Sequence, residues 1–336
     1  MKLKIMLVLG ALVCLALLCL SYFGLGSSTD KVIIATNADE EAIAVMKESL
    51  NQHGYKGQYI IQPQGTSELG GKIMAEGSNI EADIITEASY YLKSAQDQNH
   101  MFVPMKNKTQ HNTIDKYPNY ITPLLGNTGS LFINKKALEK HDLDVPHSIK
   151  DLTKPEYKGQ VSMPNVMESS TGWLVLQGIL NEYGEKEGQD VIKKLLINVG
   201  PHLEDGGSGP LQKVESGEVA VGVGLRAQAI EQEKKGNIIK HIDPKEGNFS
   251  LVEGAAVVKK GGEKQKKAEK MVEVIQKYGR KDLMKQYPVT LYKGEHIAKD
   301  QQPEYPKKWK DPLTVDLLQK HQDIFNAAKK EAENEK

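Results

Sequence analysis

Apolar and polar positions along this chain fall into blocks that repeat a strand-then-helix order. Residues 31–37 form a short apolar run ending in polar residues, and Ile43, Met46 and Leu50 follow at helical spacing. Residues 58–62 predict a second strand, 63–67 a loop, 68–76 a helix and 82–86 a third strand. The pattern restarts with strands at 130–134 and 159–163, a helix at 171–182 and a strand at 219–223. Residues 254–258 read as a strand before a basic amphipathic helix at 268–278. The tail from Thr314 places Leu317, Leu318, His321, Ile324 and Phe325 on one helical face. Strands alternating with helices over short loops predict an α/β fold with a parallel sheet covered on both faces. In such sheets ligands sit beyond the carboxyl ends of the strands.

An apolar segment precedes this pattern. Met1-Lys2-Leu3-Lys4 is a basic head, residues 5–25 are almost wholly apolar, and Gly26-Ser27-Ser28-Thr29-Asp30-Lys31 turns polar. Such a segment is an export signal, an uncleaved anchor, or both in sequence. A cleavable signal has an apolar core of roughly 7–15 residues and a spanning helix needs about 20, so the length favours an anchor. Gly24 and Gly26 leave cleavage open. Lipidation is disfavoured because bulky Leu12-Val13 and Leu17-Leu18 precede Cys14 and Cys19. Residues 1–28 are read as a signal peptide or apolar membrane-anchoring helix. The lysines before the run place the remainder outside the membrane, extracellular or periplasmic.

Lys+Arg 44 and Asp+Glu 44 balance to a formal charge of zero, so no whole-molecule field draws nucleic acid or an anionic membrane surface. Both cysteines lie in the apolar run, which suits an exported domain without a free thiol.

Catalytic templates are missing. Gly206-Gly207-Ser208-Gly209-Pro210 has proline where a nucleophile elbow needs its second glycine. No phosphate-binding loop, strand-linked Gly-x-Gly-x-x-Gly or His-x-x-x-His pair is present, and the nine histidines are scattered. An enzyme, a resident cofactor and a metal centre are therefore not expected.

What the chain carries instead is a set of hydroxyl and glycine residues at strand-to-helix junctions. Thr36-Asn37 follows the first strand, and Gly65-Thr66-Ser67 and Ser169-Ser170-Thr171-Gly172 open helices. Asp205-Gly206-Gly207-Ser208-Gly209 opens the segment after them. A helix N-terminus has unpaired N–H groups and a positive dipole end, so it binds anions without a lysine. Each junction alone reads more readily as a helix cap. Drawn from both halves of a two-lobed chain, they face each other across a cleft and point to an anionic, multiply oxygenated ligand.

Several short segments, in this order and spacing, resemble the iron- and phosphonate-type extracellular solute-binding proteins of ABC importers. They are Gly65-Thr66-Ser67-Glu68-Leu69, Glu81-Ala82-Asp83-Ile84-Ile85, Tyr157-Lys158-Gly159-Gln160-Val161-Ser162-Met163-Pro164, Ser216-Gly217-Glu218-Val219-Ala220-Val221-Gly222, Pro244-Lys245-Glu246-Gly247, Glu253-Gly254-Ala255-Ala256-Val257-Val258 and Tyr287-Pro288-Val289. The resemblance implies the type 2 periplasmic-binding fold. Residues 29–128 and 251–336 would form lobe 1 and 129–250 lobe 2, with crossings near Thr128 and Ser250. Iron-binding members use adjacent tyrosines in the second half. Here the adjacent pair is Tyr90-Tyr91 in the first half, so ferric iron is the alternative ligand.

Members that bind aminoethylphosphonate or sugar phosphates use hydroxyls and backbone amides for the phosphoryl group, and acidic residues for the amine or sugar hydroxyls. Thr36, Thr66, Ser67, Ser169, Ser170 and Thr171 match the first role, and Glu204, Asp205 and His202 the second. Asn37, Glu87, Gly207 and Ser208 complete the expected ligand set, with Arg226 as a further phosphate contact. The chain is also similar to membrane-associated hexose-phosphate sensors of Gram-positive bacteria. The resemblance thus implies a small organophosphate ligand, and an ABC permease or a sensor histidine kinase as membrane partner.

Overall fold

The chain was analysed as a computed structural model, which describes residues 30–105, 112–236 and 238–335. Strand β1 (Val32–Thr36) is followed by helix α1 (Glu40–Leu50), β2 (Tyr59–Pro63), α2 (Thr66–Glu76), β3 (Ile84–Ala88) and α3 (Ser89–Asn99). A long strand β4 (Thr122–Asn134) leads to α4 (Lys135–Lys140), β5 (Val161–Pro164), α5 (Ser170–Val199) and β6 (Leu203–Glu204). Then come α6 (Gly209–Ser216), β7 (Val221–Leu225), α7 (Arg226–Lys235) and β8 (Ile239–Ile242). The chain closes with β9 (Asn248–Val257), α8 (Gly262–Val274), α9 (Arg280–Gln286), β10 (Pro306–Lys307) and α10 (Val315–Asn334). The N-terminal signal or anchor lies outside the described residues. Among the described residues no helix is long and apolar enough to cross a membrane.

Every residue of β1 and β3 is buried, because helices cover both faces of their sheet. α1 begins at Asp39, whose carboxylate accepts from the Ala42 N–H at 3.2 Å, and it buries Ala42, Ile43, Val45, Met46 and Leu50. The parallel sheet expected from the pattern exists in two pieces, β2–β1–β3 and β7–β5–β6. Between them run β9 and β4, antiparallel to each other and to their outer neighbours, so the whole arrangement is mixed.

β4 is the element that joins the two lobes. Its first part, Thr122 to Thr128, pairs with β9, and from Gly129 onward it pairs with β7. At the changeover the hydroxyls of Thr128 and Ser250 meet at 2.8 Å. Only 130–134 of this strand is evident in the sequence, because Pro123 and Gly126 read as loop. Pro123 stands at a register shift between it and Leu125, a bulge of the kind at which a strand accommodates proline.

The tail departs from expectation. α10, assigned with the first lobe, packs on α5 of the second. The Trp173 indole N–H donates to His321 Nδ1 at 2.9 Å, Gln322 donates to the Val166 carbonyl at 3.0 Å, and Lys193 pairs with Glu335 at 2.9 Å. α5 itself runs beyond the expected end at 182 to Val199, broken only at Gly184, whose φ is +69°. The Tyr90 ring of α3 stands edge-on to Trp173, centroids 4.9 Å apart at 79°, and both side chains are buried. One apolar core therefore continues from one lobe into the other. On the first lobe, Arg280 pairs with Glu295 at 2.8 Å and donates to the carbonyls of Leu124 and Val289.

Candidate ligand-binding site

A cleft of about 440 Å³ opens where the two pieces of sheet face each other, a volume suited to a small metabolite. Its walls are the junctions between elements. Asn37, Ala38 and Asp39 follow β1, and Gln64, Gly65 and Thr66 lead into α2. Glu168, Ser169, Ser170 and Thr171 open α5, and residues 205–209 with Gln212 surround the start of α6. Leu125, Asn127 and Glu253 come from the crossing strands, and Tyr287 and Leu225 close the ends.

Eight of the expected ligand residues line this cleft: Asn37, Thr66, Ser169, Ser170, Thr171, Asp205, Gly207 and Ser208. Five do not. Thr36 is fully buried below the floor, its oxygen accepting from the Ala38 N–H and the Thr86 hydroxyl. Glu87 is fully buried in β3, accepting from the Ala88 N–H at 2.7 Å. Ser67 donates to the Met167 carbonyl at 2.6 Å and so ties α2 to the loop before α5. Glu204 is taken by Lys213 at 3.1 Å. Arg226 is buried against Asp243, with Nε–Oδ1 at 2.7 Å and Nη2–Oδ2 at 3.0 Å, and it donates to the carbonyls of Gln301 and Gln302. Its fork is thus committed to protein partners and lies outside the lining of the cleft.

The starts of three helices converge here. The α2 cap is Gly65, which has no side-chain cap bond. At α5 the Ser169 oxygen accepts from the Thr171 N–H at 3.3 Å. At α6 the Ser208 hydroxyl accepts from Gln228 rather than capping its own helix. All three ends carry positive potential, but their free donors differ: at α5 the Thr171 and Gly172 N–H groups are taken by Ser169, and at α6 the Gly209 N–H bonds to Gly206 and Pro210 has none. α1 differs, because Asp39 already caps it.

Close packing holds the α5 start in place. A Cβ on Gly172 would stand 2.7 Å from the Val166 nitrogen and 2.9 Å from the Pro164 carbonyl, both backbone atoms that cannot yield. Gly172→Ala is therefore expected to lift the first turn of α5 off β5 and weaken binding about tenfold or more. Gly71→Ala on α2, with open space around its Cβ, serves as the control. Titration calorimetry of both variants checks this, and equal affinities would remove α5 from the site.

Sequence reasoning missed Asp39, Gln64, Asn127, Glu168, Gln212, Glu253 and Tyr287. The clearest available signal was Glu253, a carboxylate inside the otherwise apolar run 251–258. It is only 6% exposed, and its Oε1 accepts from Asn127 Nδ2 at 2.9 Å and Asn37 Nδ2 at 3.4 Å. Burial, helped by the nearby Asp39 carboxylate, pushes Glu253 up to about 8. Burial also raises Asp39, against hydrogen bonds from the Tyr287 hydroxyl and the Ala42 N–H. Four lining residues are acidic (Asp39, Glu168, Asp205 and Glu253), and among the described lining residues none is Lys, Arg or His.

Comparison with known proteins places this geometry. An uncharacterised protein of Haemophilus influenzae (strain ATCC 51907 / DSM 11121 / KW20 / Rd) is 24% identical over 203 residues, which span 58% of this chain and 58% of that relative. The periplasmic binding protein AfuA of Actinobacillus pleuropneumoniae, solved with fructose 6-phosphate bound, is similar with a TM-score of 0.72 at 18% identity, covering 90% of this chain and 97% of that one. A periplasmic thiamin binding protein reaches 0.73 at 16% identity, over 90% and 98%. Iron-bound HitA from Pseudomonas aeruginosa reaches 0.69 at 17%, over 89% and 99%. These likenesses show the two-lobed periplasmic-binding fold. The family model for bacterial extracellular solute-binding proteins matches residues 80–312, well over half of the 336 residues. The chain belongs to the bacterial extracellular solute-binding proteins.

Proposed function

We propose that the protein captures a small phosphorylated solute outside the membrane and presents the closed lobes to a membrane partner. The observation that carries this reading is the convergence of the α2, α5 and α6 starts on one cleft with no basic side chain among its described lining residues. A phosphoryl group held there accepts from backbone N–H groups and from the hydroxyls of Thr66, Ser169, Ser170 and Thr171. The lobes, taken as 29–128 with 251–314 and 129–250 with the α10 tail, close by bending at Thr128 and Ser250. The partner is an ABC permease or a sensor kinase, and residues 1–28 tether the domain to the membrane. Neighbouring permease and ATPase genes favour uptake; a kinase and response regulator favour sensing.

Ferric iron has less to support it. Tyr90 and Tyr91 are buried in α3 and do not line the cleft, and Tyr287, the tyrosine that lines it, bonds to Asp39. Calorimetric titration with glucose 6-phosphate, 2-aminoethylphosphonate and ferric citrate tests the choice. Heat is expected with a phosphorylated compound and not with iron. No heat with either phosphorylated compound would overturn the proposal.

A further inference from the structure

We infer that the face of β4 and β9 opposite the ligand cleft carries a second binding site, which takes a small amphiphile with an apolar body and one anionic end, and that its occupation favours closed lobes. The site goes beyond the phosphoryl reading and does not depend on it. Side chains on a strand alternate between its two faces. Leu125, Asn127 and Glu253 face the ligand cleft, whereas Thr128, Asn248, Ser250 and Val252 line a separate cavity of about 590 Å³. The two cavities share no lining residue, and the strands that join the lobes form the partition between them.

Their chemistry is opposite. The cleft has four carboxylates and no described basic side chain, while the second cavity has Lys93, Lys116, Lys307 and Lys308 against a single acid, Asp115. Lys308 pairs with Asp115 at 2.8 Å, and Lys307 with Glu182 at 3.1 Å. Among the described residues Lys93 and Lys116 have no ion-pair partner, and Lys93 is half-buried. Tyr117, Val252, Val289, Leu291, Trp309 and Leu313 supply an apolar wall, in a volume within the range of small-molecule sites. The wall calls for hydrocarbon or an aromatic ring, and the two unpaired ammonium groups call for an anion.

Coupling to the cleft follows from the parts that meet here. The first lobe contributes Ser89, Lys93 and residues 288–291. Residues 306–309 are fastened to the second-lobe end of β9, where Pro306 and Lys307 pair with Asn248 and Phe249. Thr128 and Ser250, the contact proposed as the hinge, line the cavity as well. A bend there that closes the cleft on one face widens the cavity on the other. In the conformation described, the lobes already touch across the cleft, Ser67 bonding to the Met167 carbonyl at 2.6 Å and Gln228 to Asp39 at 3.4 Å. Opening the cleft from this state narrows the second cavity, so an occupant resists opening. Solute and amphiphile then strengthen each other's binding by the same factor.

Calorimetry on the full chain with 4-phenylbutyrate and 4-phenylbutylamine, alike in body and opposite in charge, tests the site. The wild-type protein is expected to bind the acid about tenfold tighter or more, and Lys93→Glu to turn that preference toward the amine. A gain of amine binding is not something misfolding produces. Hydrogen exchange of the wild-type protein, with phenylbutyrate and without solute, tests the coupling. Amides at 65–69 and 167–171, on either side of the Ser67–Met167 bond, are expected to exchange about twofold more slowly or better. This measurement stands even if the variant fails to fold. Failure of the wild-type protein to prefer the acid, or the same preference in Lys93→Glu, would overturn the site. Unchanged or faster exchange would overturn the coupling. None of these readouts uses a phosphorylated solute, so each such result leaves the phosphoryl reading intact.

Discussion

Replacing Trp173 by alanine is expected to cost about 3–5 kcal/mol of stability, the range for emptying a large aromatic site in a packed core. Trp173 is fully buried at the first turns of α5, and three contacts depend on it. Its ring meets Tyr90 from the other lobe edge-on at 4.9 Å, its indole N–H donates to His321 on α10, and its bulk fills the continuous core. Indole donates and never accepts, so His321 must present an unprotonated Nδ1 and carry its hydrogen on Nε2. Burial agrees with this neutral form, since it pushes His321 down to about 4. Trp173→Phe keeps most of the ring and loses the bond, for an expected cost of about 1–3 kcal/mol. Urea unfolding followed by far-ultraviolet circular dichroism measures both. An alanine variant within about 1 kcal/mol of wild type would mean that neither α10 nor the lobe contact relies on this residue.

Glu253→Gln is expected to stabilise the ligand-free protein as pH rises, while leaving it unchanged near pH 5. The folded protein holds a proton on Glu253 up to about 8, whereas in the unfolded chain the carboxyl ionises near 4.5. Between these values the folded state binds the extra proton, so the wild-type protein loses stability with rising pH. Glutamine keeps the shape and has nothing to ionise. The gap between variant and wild type should therefore open from about pH 5 and reach the order of a few kcal/mol by pH 9. Glu87 is raised in the same direction, chiefly by its own burial, which both proteins share, and to a smaller extent by the Glu253 charge, which the variant lacks. His321 acts on the acid side: its folded pKa is depressed, so its contribution is present above 6.5 and lost as pH falls toward 4, equally in both. Comparing the two proteins therefore reads Glu253 together with its charge coupling to Glu87. A gap that does not change with pH would show that this carboxyl is not held neutral by the fold.

The parts legible in the sequence were those that depend on local pattern. Strands β1 and β3 were readable because helices bury both their faces and leave unbroken apolar runs, and β2, an edge strand with no fully buried residue, from its short Tyr59-Ile60-Ile61 run. The cleft junctions were readable because helix starts favour Ser, Thr and Gly whether or not a ligand binds there. Length misled at β4, where Pro123 and Gly126 hide half of a strand that pairs with β9. Roles misled where a side chain's partner lies far along the chain. Arg226 was read as a phosphate contact, and its partners are Asp243 and residues 301–302; Ser67 was read likewise, and its partner is Met167. Glu253 was visible as an oddity, but its role needed Asn37 and Asn127, which lie 216 and 126 residues away.

The segment after α9 limits how far the molecule can gape. Glu295 is pinned to the first lobe by Arg280, and the Gln301 carbonyl is pinned to the second by Arg226 at 2.6 Å. Between those pins run only the six residue steps from 295 to 301, which reach about 20 Å when fully extended. Besides β4 and β9, this short leash is a third link between the halves, placed away from the Thr128–Ser250 contact proposed as the hinge. It works as the check strap of a door, so opening stops where the chain runs taut and not where contacts across the cleft give out.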